Sequence, residues 1–363
     1  MIEFKNVVKT YDNGVTAVDN LSFVAPTGKI TVLVGPSGCG KTTTLRMVNR
    51  LIEQSSGSIV LGGEDNTDVD TIQMRRKIGY VIQNAGLFPH QTVLDNVCAV
   101  PFLNRNDKRA SRERALGLLE LVGLDRAYAS RYPWQLSGGQ QQRVGVARAL
   151  AADPPYMLMD EPFSAVDPIV RKQLQAEFLR IQADLAKTIV MVTHDIDEAL
   201  KLGDQIVVLK EGGVLAQIGS PAELLANPAD RFVADFLGES RGYHALNFEP
   251  LAEQGTVATP RVHIGDQLGP SSDPWLVACA ADDRPLGWVR ANRVEKTVAH
   301  DDVTYATPVS LPRGNYRELL DAALSGPCGR AILTDGAGSY VGTLGTDAVV
   351  QQATRVLEGE RSS

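Results

Sequence analysis

Apolar positions along this chain change their period several times, and each change predicts a different element. Ile2-Glu3-Phe4-Lys5-Asn6-Val7 alternates apolar with polar, the period of two that predicts a half-buried strand. Lys29-Ile30-Thr31-Val32-Leu33-Val34 is instead a short apolar run that stops at Gly35, as a buried strand does. Beyond the glycines that follow, Leu45-Arg46-Met47-Val48-Asn49-Arg50-Leu51 places its apolar residues at helical spacing. Residues 90–155 read as mainly helical, most clearly at Ala115 to Val122 and at Gln140 to Leu150. Two more short apolar strands follow, Tyr156-Met157-Leu158-Met159 and Thr188 to Thr193.

Several of these elements end at residues that carry chemistry. The run ending at Val34 leads into GPSGCGKTT at 35–43 and then into a helix, the order that a phosphate loop requires. Glycines there let backbone N–H groups approach a phosphate, so Gly35, Ser37, Gly38, Cys39, Gly40, Lys41, Thr42 and Thr43 form a candidate cradle. Lys41 supplies charge to the β and γ phosphates, and the Thr42 hydroxyl is a candidate Mg²⁺ ligand. Cys39 reads as a small filler within the loop. LSGGQ at 136–140 is more informative, since many unrelated nucleoside triphosphatases share the first motif alone. Ser137 precedes two glycines and a long helical pattern, which predicts an N-cap at a helix start open to an anion. Further on, an apolar strand ends in Asp160-Glu161 and another ends at His194.

Together GPSGCGKTT, LSGGQ and YMLMDE resemble the ATPase subunits of ABC transporters over roughly residues 1–238. That resemblance implies an α/β P-loop ATPase domain with a helical subdomain, using ATP and Mg²⁺. It assigns Lys41, Glu161 and His194 to catalysis: Asp160 holds Mg²⁺, Glu161 orients and polarises the attacking water, and His194 contacts the γ-phosphate. Gln83, after the strand-like Ile78 to Ile82, resembles the glutamine of the Q-loop and joins Thr42 and Asp160 as a metal ligand. The run Asn84 to Val93 resembles the loop that touches the membrane subunit of importers. Tyr11, before a turn-like Asp12-Asn13-Gly14, matches the aromatic residue that stacks on adenine. Ser164-Ala165-Val166-Asp167 resembles the D-loop, with Asp167 tying two active sites together, and Ser137, Gly138, Gly139 and Gln140 bind the nucleotide held by a partner chain. One phosphate loop and one LSGGQ per chain then imply a head-to-tail dimer of two copies that closes on ATP.

Length and composition are consistent with this organisation without producing it. At 363 residues the chain exceeds one ordinary core. Its net charge of −7 gives no sign of nucleic-acid binding. No apolar stretch approaches the ~20 residues that cross a bilayer, and Met1 to Tyr11 lacks the apolar core of a signal peptide. Cys39, Cys98, Cys279 and Cys328 are scattered without CxxC spacing, which argues against a zinc site or a disulfide framework and fits a reducing compartment. The basic stretch Arg105 to Arg114 reads as a solvated face.

After Phe236-Leu237-Gly238 the pattern changes, so the expected domains are 1–238, a linker at 239–252, and a smaller α+β domain at 253–363. Within it, Trp275-Leu276-Val277-Ala278 through Val289 aligns without a gap to Arg330-Ala331-Ile332-Leu333 through Leu344, at an offset of 55 residues. Each half reads as strand, polar turn, strand, and a unit unable to bury its own face implies pairing. The pair resembles a tandem of cystathionine-β-synthase-type (CBS) modules, although Arg290 and Gly345 stand where a nucleotide-binding threonine is expected. An importer ATPase followed by such a pair resembles the energising subunit of osmoprotectant importers for glycine betaine, carnitine, choline or proline betaine. The implied partners are membrane permease subunits and, indirectly, an extracytoplasmic solute-binding protein, with this chain peripheral on the cytoplasmic face. An importer of another solute, such as a polyamine or amino acid, is the alternative reading. A soluble ABC ATPase outside transport, or a C-terminal pair that only braces the dimer, are the others.

Overall fold

The alternation in the first strand, β1 (Ile2–Thr10), breaks at Asn6, whose φ of 49° accompanies a register shift against the neighbouring strand. A regular pleat would turn Val7 away from the side of Ile2 and Phe4; with the bulge all three are buried. The computed structural model describes residues 1–363 apart from 84, 165, 252–255, 269–270, 272, 295–296 and 358–363, which leaves Ala165 of the D-loop outside the described residues. It divides into two units, Met1–Phe236 and Leu237–Ser363.

In the first unit β1 is followed by β2 (Thr16–Ala25), β3 (Ile30–Val34), α1 (Lys41–Val48), β4 (Ser56–Leu61), β5 (Glu64–Asp65), α2 (Thr71–Arg76) and β6 (Ile78–Val81). Next come α3 (Val93–Leu103), α4 (Lys108–Leu121), α5 (Gly138–Leu150), β7 (Tyr156–Asp160), α6 (Pro168–Leu185), β8 (Thr188–Val192) and α7 (Ile196–Leu202). The unit ends with β9 (Gln205–Lys210), β10 (Val214–Gly219), α8 (Pro221–Ala226) and α9 (Arg231–Leu237), the last of which runs one residue past the division between units. One sheet has the order β2-β1-β4-β5, with antiparallel pairs. The other has the order β10-β9-β3-β8-β7-β6 and is parallel except where β10 meets β9.

A shared apolar core takes Ile2, Phe4 and Phe23 from the first sheet, Leu45 and Met47 from α1, and Leu158, Val190 and Val207 from the second. Phe4 stacks on Phe23 with ring centroids 4.3 Å apart. Each such side chain, fully buried, contributes about 1.5–3 kcal/mol, so these contacts fix how α1 lies on the sheet. Parallel strands end together, and the carboxyl ends of β3, β7 and β8 deliver the phosphate loop, Asp160 and the residues before His194 to one edge. The helical spacing that extends in sequence to Leu51 stops in space at Val48, because Asn49 leaves helical geometry and Arg50 has a φ of 53°. Helices α3, α4 and α5 pack on one another as the helical part of this unit. In the basic stretch, Arg112 pairs with Asp95 and Arg114 with Asp153, both at exposed positions.

The second unit contains α10 (Arg241–Ala245), β11 (Arg261–His263), β12 (Trp275–Cys279), β13 (Pro285–Arg290), β14 (Val303–Tyr305), β15 (Val309–Ser310), α11 (Tyr316–Ser325), β16 (Arg330–Thr334), β17 (Tyr340–Gly345) and α12 (Thr346–Leu357). Its sheets have the orders β11-β12-β13-β14 and β15-β16-β17. Both halves of the sequence repeat form hairpins in equivalent register: Trp275 faces Arg290 as Arg330 faces Gly345, and Ala278 faces Gly287 as Leu333 faces Gly342. Each hairpin then shifts register at the next pair, Cys279 with Pro285 and Thr334 with Tyr340. A short strand lies parallel to the first strand of each hairpin, β11 on β12 and β15 on β16.

The halves differ in their helices. Helix α11 fills the connection between β15 and β16, whereas no helix occurs among the described residues between β11 and β12. The hairpins share a core of Val277, Cys279, Trp288 and Ile332, and Arg330 donates to Asp273 at 2.9 Å beside it. Residues 239–252, which the composition predicts as a linker, instead contain α10, and Tyr243, Leu246 and Leu251 join the core of the second half. The linker reading misses this because three apolar residues among polar ones show no period in so short a stretch.

Trp288 is 0% exposed, so Trp288→Ala is expected to destabilise the second unit by about 3–5 kcal/mol. Denaturant titration of the full chain should show one transition moving to lower denaturant and the first unit's transition staying in place. Two unchanged transitions would show that the hairpin core does not depend on this ring.

Candidate functional site

The phosphate loop leaves β3 at Val34 and enters α1 at Lys41, and its shape requires glycine where it passes closest to other backbone. Gly40 has a φ of 87°, and a Cβ built there would stand 2.1 Å from the carbonyl oxygen of Ala17. Any side chain would push the loop off β2. The loop lines an open pocket of about 1070 Å³, counting the solvent space at its mouth, and Glu161 and His194 line the same pocket. Lys41 is buried, and its Nζ donates to the carbonyl oxygens of Gly35 at 2.7 Å and Pro36 at 2.9 Å, with Cys39 Sγ at 3.6 Å. The ammonium is thus held inside the loop by groups it can exchange for phosphate oxygens. Cys39 is fully buried; desolvation pushes its thiol above the usual value, opposed by Lys41, which agrees with a filler.

Asp160, at the end of β7, is 4% exposed. Burial raises its carboxyl above the usual range, while the hydrogen bond from Thr42 and the charge of Arg46 pull it back. Thr42 Oγ1 donates to Asp160 Oδ1 at 3.1 Å and Arg46 Nη2 lies 3.8 Å from Oδ2. A carboxylate and a hydroxyl in contact are hard oxygen ligands of the kind Mg²⁺ takes, so these residues fit that ion. Arg46 carries no part in the sequence reading. Its signal was its place four residues after Thr42, on the same face of α1.

Glu161 follows directly with a φ of 46°, a left-handed conformation that costs a side-chain-bearing residue energy and occurs often at functional positions. Its backbone N–H donates to Val192 O at 2.9 Å, which ties the turn to β8. Its two carboxylate oxygens are each engaged: Gln83 Nε2 donates to Oε2 at 2.8 Å, and His194 Nδ1 stands 3.1 Å from Oε1. The structure therefore brings Lys41, Thr42, Gln83, Asp160, Glu161 and His194 into one connected site. Tyr11 lies at its margin, its hydroxyl 3.4 Å from Thr43 Oγ1, its ring partly exposed and Lys9 Nζ 5.1 Å from the ring centroid.

The other candidates are elsewhere. None of Ser137, Gly138, Gly139 and Gln140 lines this pocket. They start α5 with a reciprocal cap in which Gln140 N donates to Ser137 Oγ at 3.3 Å and Ser137 N donates to Gln140 Oε1 at 2.9 Å. Ser137 and Gly138 are exposed, so the helix start faces solvent. Asp167 caps α6, accepting from Ile169 N at 2.9 Å, with Pro168 as the first helical residue. Sequence reasoning missed that local duty.

Three comparisons bear on this geometry. The model of the family described as "ABC transporter" matches residues 18–164. The choline transport ATP-binding protein OpuBA of Bacillus subtilis (strain 168) is 54% identical over 241 residues, 66% of this chain and 63% of that protein. This chain therefore spans less than two thirds of that relative. The osmoprotectant import ATP-binding protein OsmV of Salmonella typhimurium is 47% identical over 303 residues, 80% of this chain and 79% of the relative. Among solved structures, a dimeric ATP-binding cassette in a post-hydrolysis state with ADP and Pi matches with a TM-score of 0.56 at 34% identity. It covers 61% of this chain and 99% of its own.

Because the folded state favours protonated Asp160, this group's contribution to stability is present at low pH and is lost as pH rises through its raised pKa. At neutral pH, Asp160→Asn removes a buried charge and should raise the melting temperature of the metal-free chain by about 2–4 °C. The same variant should lose any further gain from Mg²⁺ with nucleotide. A thermal-shift titration with and without Mg²⁺ checks both signs, and a lower melting temperature without metal would contradict the burial argument.

Proposed function

We propose, from the premise that this chain belongs to the ABC transporter family, that it is the ATP-hydrolysing subunit of an importer for a small osmoprotectant. The family membership rests on the relatives above. The observation that carries the chemistry is Glu161, fixed between Gln83 and His194 across the pocket from the phosphate loop. Lys41 binds the β and γ phosphates, giving up loop carbonyls as it does so. Glu161 accepts a hydrogen bond from the attacking water and orients it toward the γ-phosphorus, and His194 holds Glu161 and the γ-phosphate in register. Thr42, Asp160 and Gln83 would hold Mg²⁺, which would supply positive charge against the charge that builds on the phosphate oxygens. Tyr11 offers a ring face for adenine at the mouth of the site.

The exposed start of α5 supports a composite site. Ser137 and Gly138 present helix N-terminal N–H groups outward, and in a head-to-tail dimer they would meet the γ-phosphate held by the partner's loop. Closure on ATP and opening after hydrolysis would then drive separate membrane permease subunits, and a solute-binding protein outside the membrane would deliver the solute. Among the described residues no helix is long and apolar enough to cross a membrane. The relatives named for choline transport and osmoprotectant import support the solute class.

The second unit, with its hairpins in equivalent register, supports the reading of a tandem CBS-type regulatory module. Arg290, at one expected threonine position, stands with its guanidinium 5.8 Å from the Trp275 ring centroid, and Gly345 occupies the other, so a nucleotide lacks its usual hydroxyls. Ionic strength is the signal this arrangement favours, since exposed charges interact over about 10 Å at 0.1 M salt and less as salt rises.

Glu161→Gln should retain ATP binding, lose all but about 1% of turnover, and accumulate as a dimer in ATP and Mg²⁺. Scattering and phosphate-release assays measure both, and near-normal hydrolysis would remove Glu161 from this role. Truncation after Gly238 should preserve transport in the assembled importer and flatten its dependence on salt. An unchanged salt response would leave the second unit as a brace.

A further inference from the structure

The helix that begins at Ser137 also holds the segment that follows Gln83. Gln142 Nε2 on α5 donates to Ile82 O at 3.4 Å. Six residues further along, Arg148 donates from Nη1 to Gly86 O at 2.7 Å and from Nη2 to Ala85 O at 2.6 Å. Ala85 and Gly86 have φ values of 52° and 53°, two successive left-handed residues whose carbonyls converge on one guanidinium. Gly145, between the two donors on α5, lies so close to this loop that a Cβ there would be 3.6 Å from Ala85. The guanidinium is largely removed from water, which lowers its pKa, and among the described residues its charge is spent on backbone carbonyls with no carboxylate beside it. A planar fork that grips two carbonyls fixes direction as well as distance, which a lysine's single point of charge does not.

We propose that Arg148 is a positioning residue that couples α5 to the loop after Gln83. A γ-phosphate bound at Ser137 to Gly139 thereby sets where Gln83 stands against Glu161 in the same chain. This rests on the composite-site reading above. Helix α5 is a continuous 13-residue rod, so a displacement at its capped start is transmitted to Arg148 near its end. The clamp passes it to Ala85 and Gly86, and Gln83 is two residues from the first of these. Occupancy of the partner's nucleotide thus reaches the carboxylate of this chain's own site through backbone hydrogen bonds.

The test uses the full chain with Mg²⁺ and a non-hydrolysable ATP analogue, measuring the dimer by light scattering and amide hydrogen exchange over residues 82–90. In the parent chain, dimer formation should slow exchange in this segment roughly tenfold. Arg148→Lys should still dimerise yet lose that slowing, and its kcat should fall with little change in KM for ATP. If Arg148→Lys fails to fold, Gly86→Ala attacks the clamp from the loop side, because a side chain is strained at its φ of 53° and its Cβ would stand 2.2 Å from Ile82 Cδ1. Slowing in a dimeric Arg148→Lys or Gly86→Ala variant equal to that in the parent would overturn the proposal. A parent chain that stays monomeric with the analogue would overturn the composite-site reading, and this proposal with it.

Discussion

A carboxylate deprived of water sets the terms of the site. Asp160 sits at the end of an interior strand of a parallel sheet, where burial favours its neutral form, and two groups on one face of α1 oppose that tendency. Neither is sufficient: a hydroxyl carries no charge, and a guanidinium at 3.8 Å makes a loose pair. A small divalent cation is the partner this environment rewards. The same sheet geometry places Glu161 on the turn beyond, so the proposed metal ligand and the proposed water-activating carboxylate are consecutive residues of one chain segment.

That economy leaves the second proposed phosphate-binding element out of the pocket. The start of α5 points to solvent while its far end grips the loop behind Gln83. In the proposed composite site, a helix that met one nucleotide with its first turn and another site with its last would convert a dimer interface into a timing device. Hydrolysis in each site would then wait on assembly of both.

Much of this was legible in the sequence because the informative residues are contiguous. GPSGCGKTT sits between strand and helix, and Asp160-Glu161 terminates an apolar run; the cap Ser137-x-x-Gln140 repeats the pattern of a reciprocal helix cap. What escaped notice depends on contacts between distant segments. Arg148 and Ala85 are joined by a fork that no local period announces, and the bulge at Asn6 defeats the alternation that revealed the strand. The offset of 55 residues predicted paired hairpins, since a strand and its turn have fixed lengths. It could not report that α11 has no counterpart among the described residues of the first half, because a connection can change while the register around it stays the same. Residues 239–252 conceal α10 for a different reason: five helical residues are too few to show a period.

The distribution of the three tryptophans gives the molecule built-in optical reporters. Trp134 is exposed and stacked on Tyr132 in the first unit, whereas Trp275 and Trp288 belong to the second. The Trp288 ring is wholly enclosed, with its indole nitrogen lacking a hydrogen-bond partner among the described residues, and Trp275 is half-buried beneath the Arg290 guanidinium. An indole in so apolar a setting emits at short wavelength, and one beneath a cation changes its brightness as the cation moves. The short-wavelength part of the emission therefore follows the paired hairpins, and the part from Trp275 follows the charge above it, in the unlabelled protein.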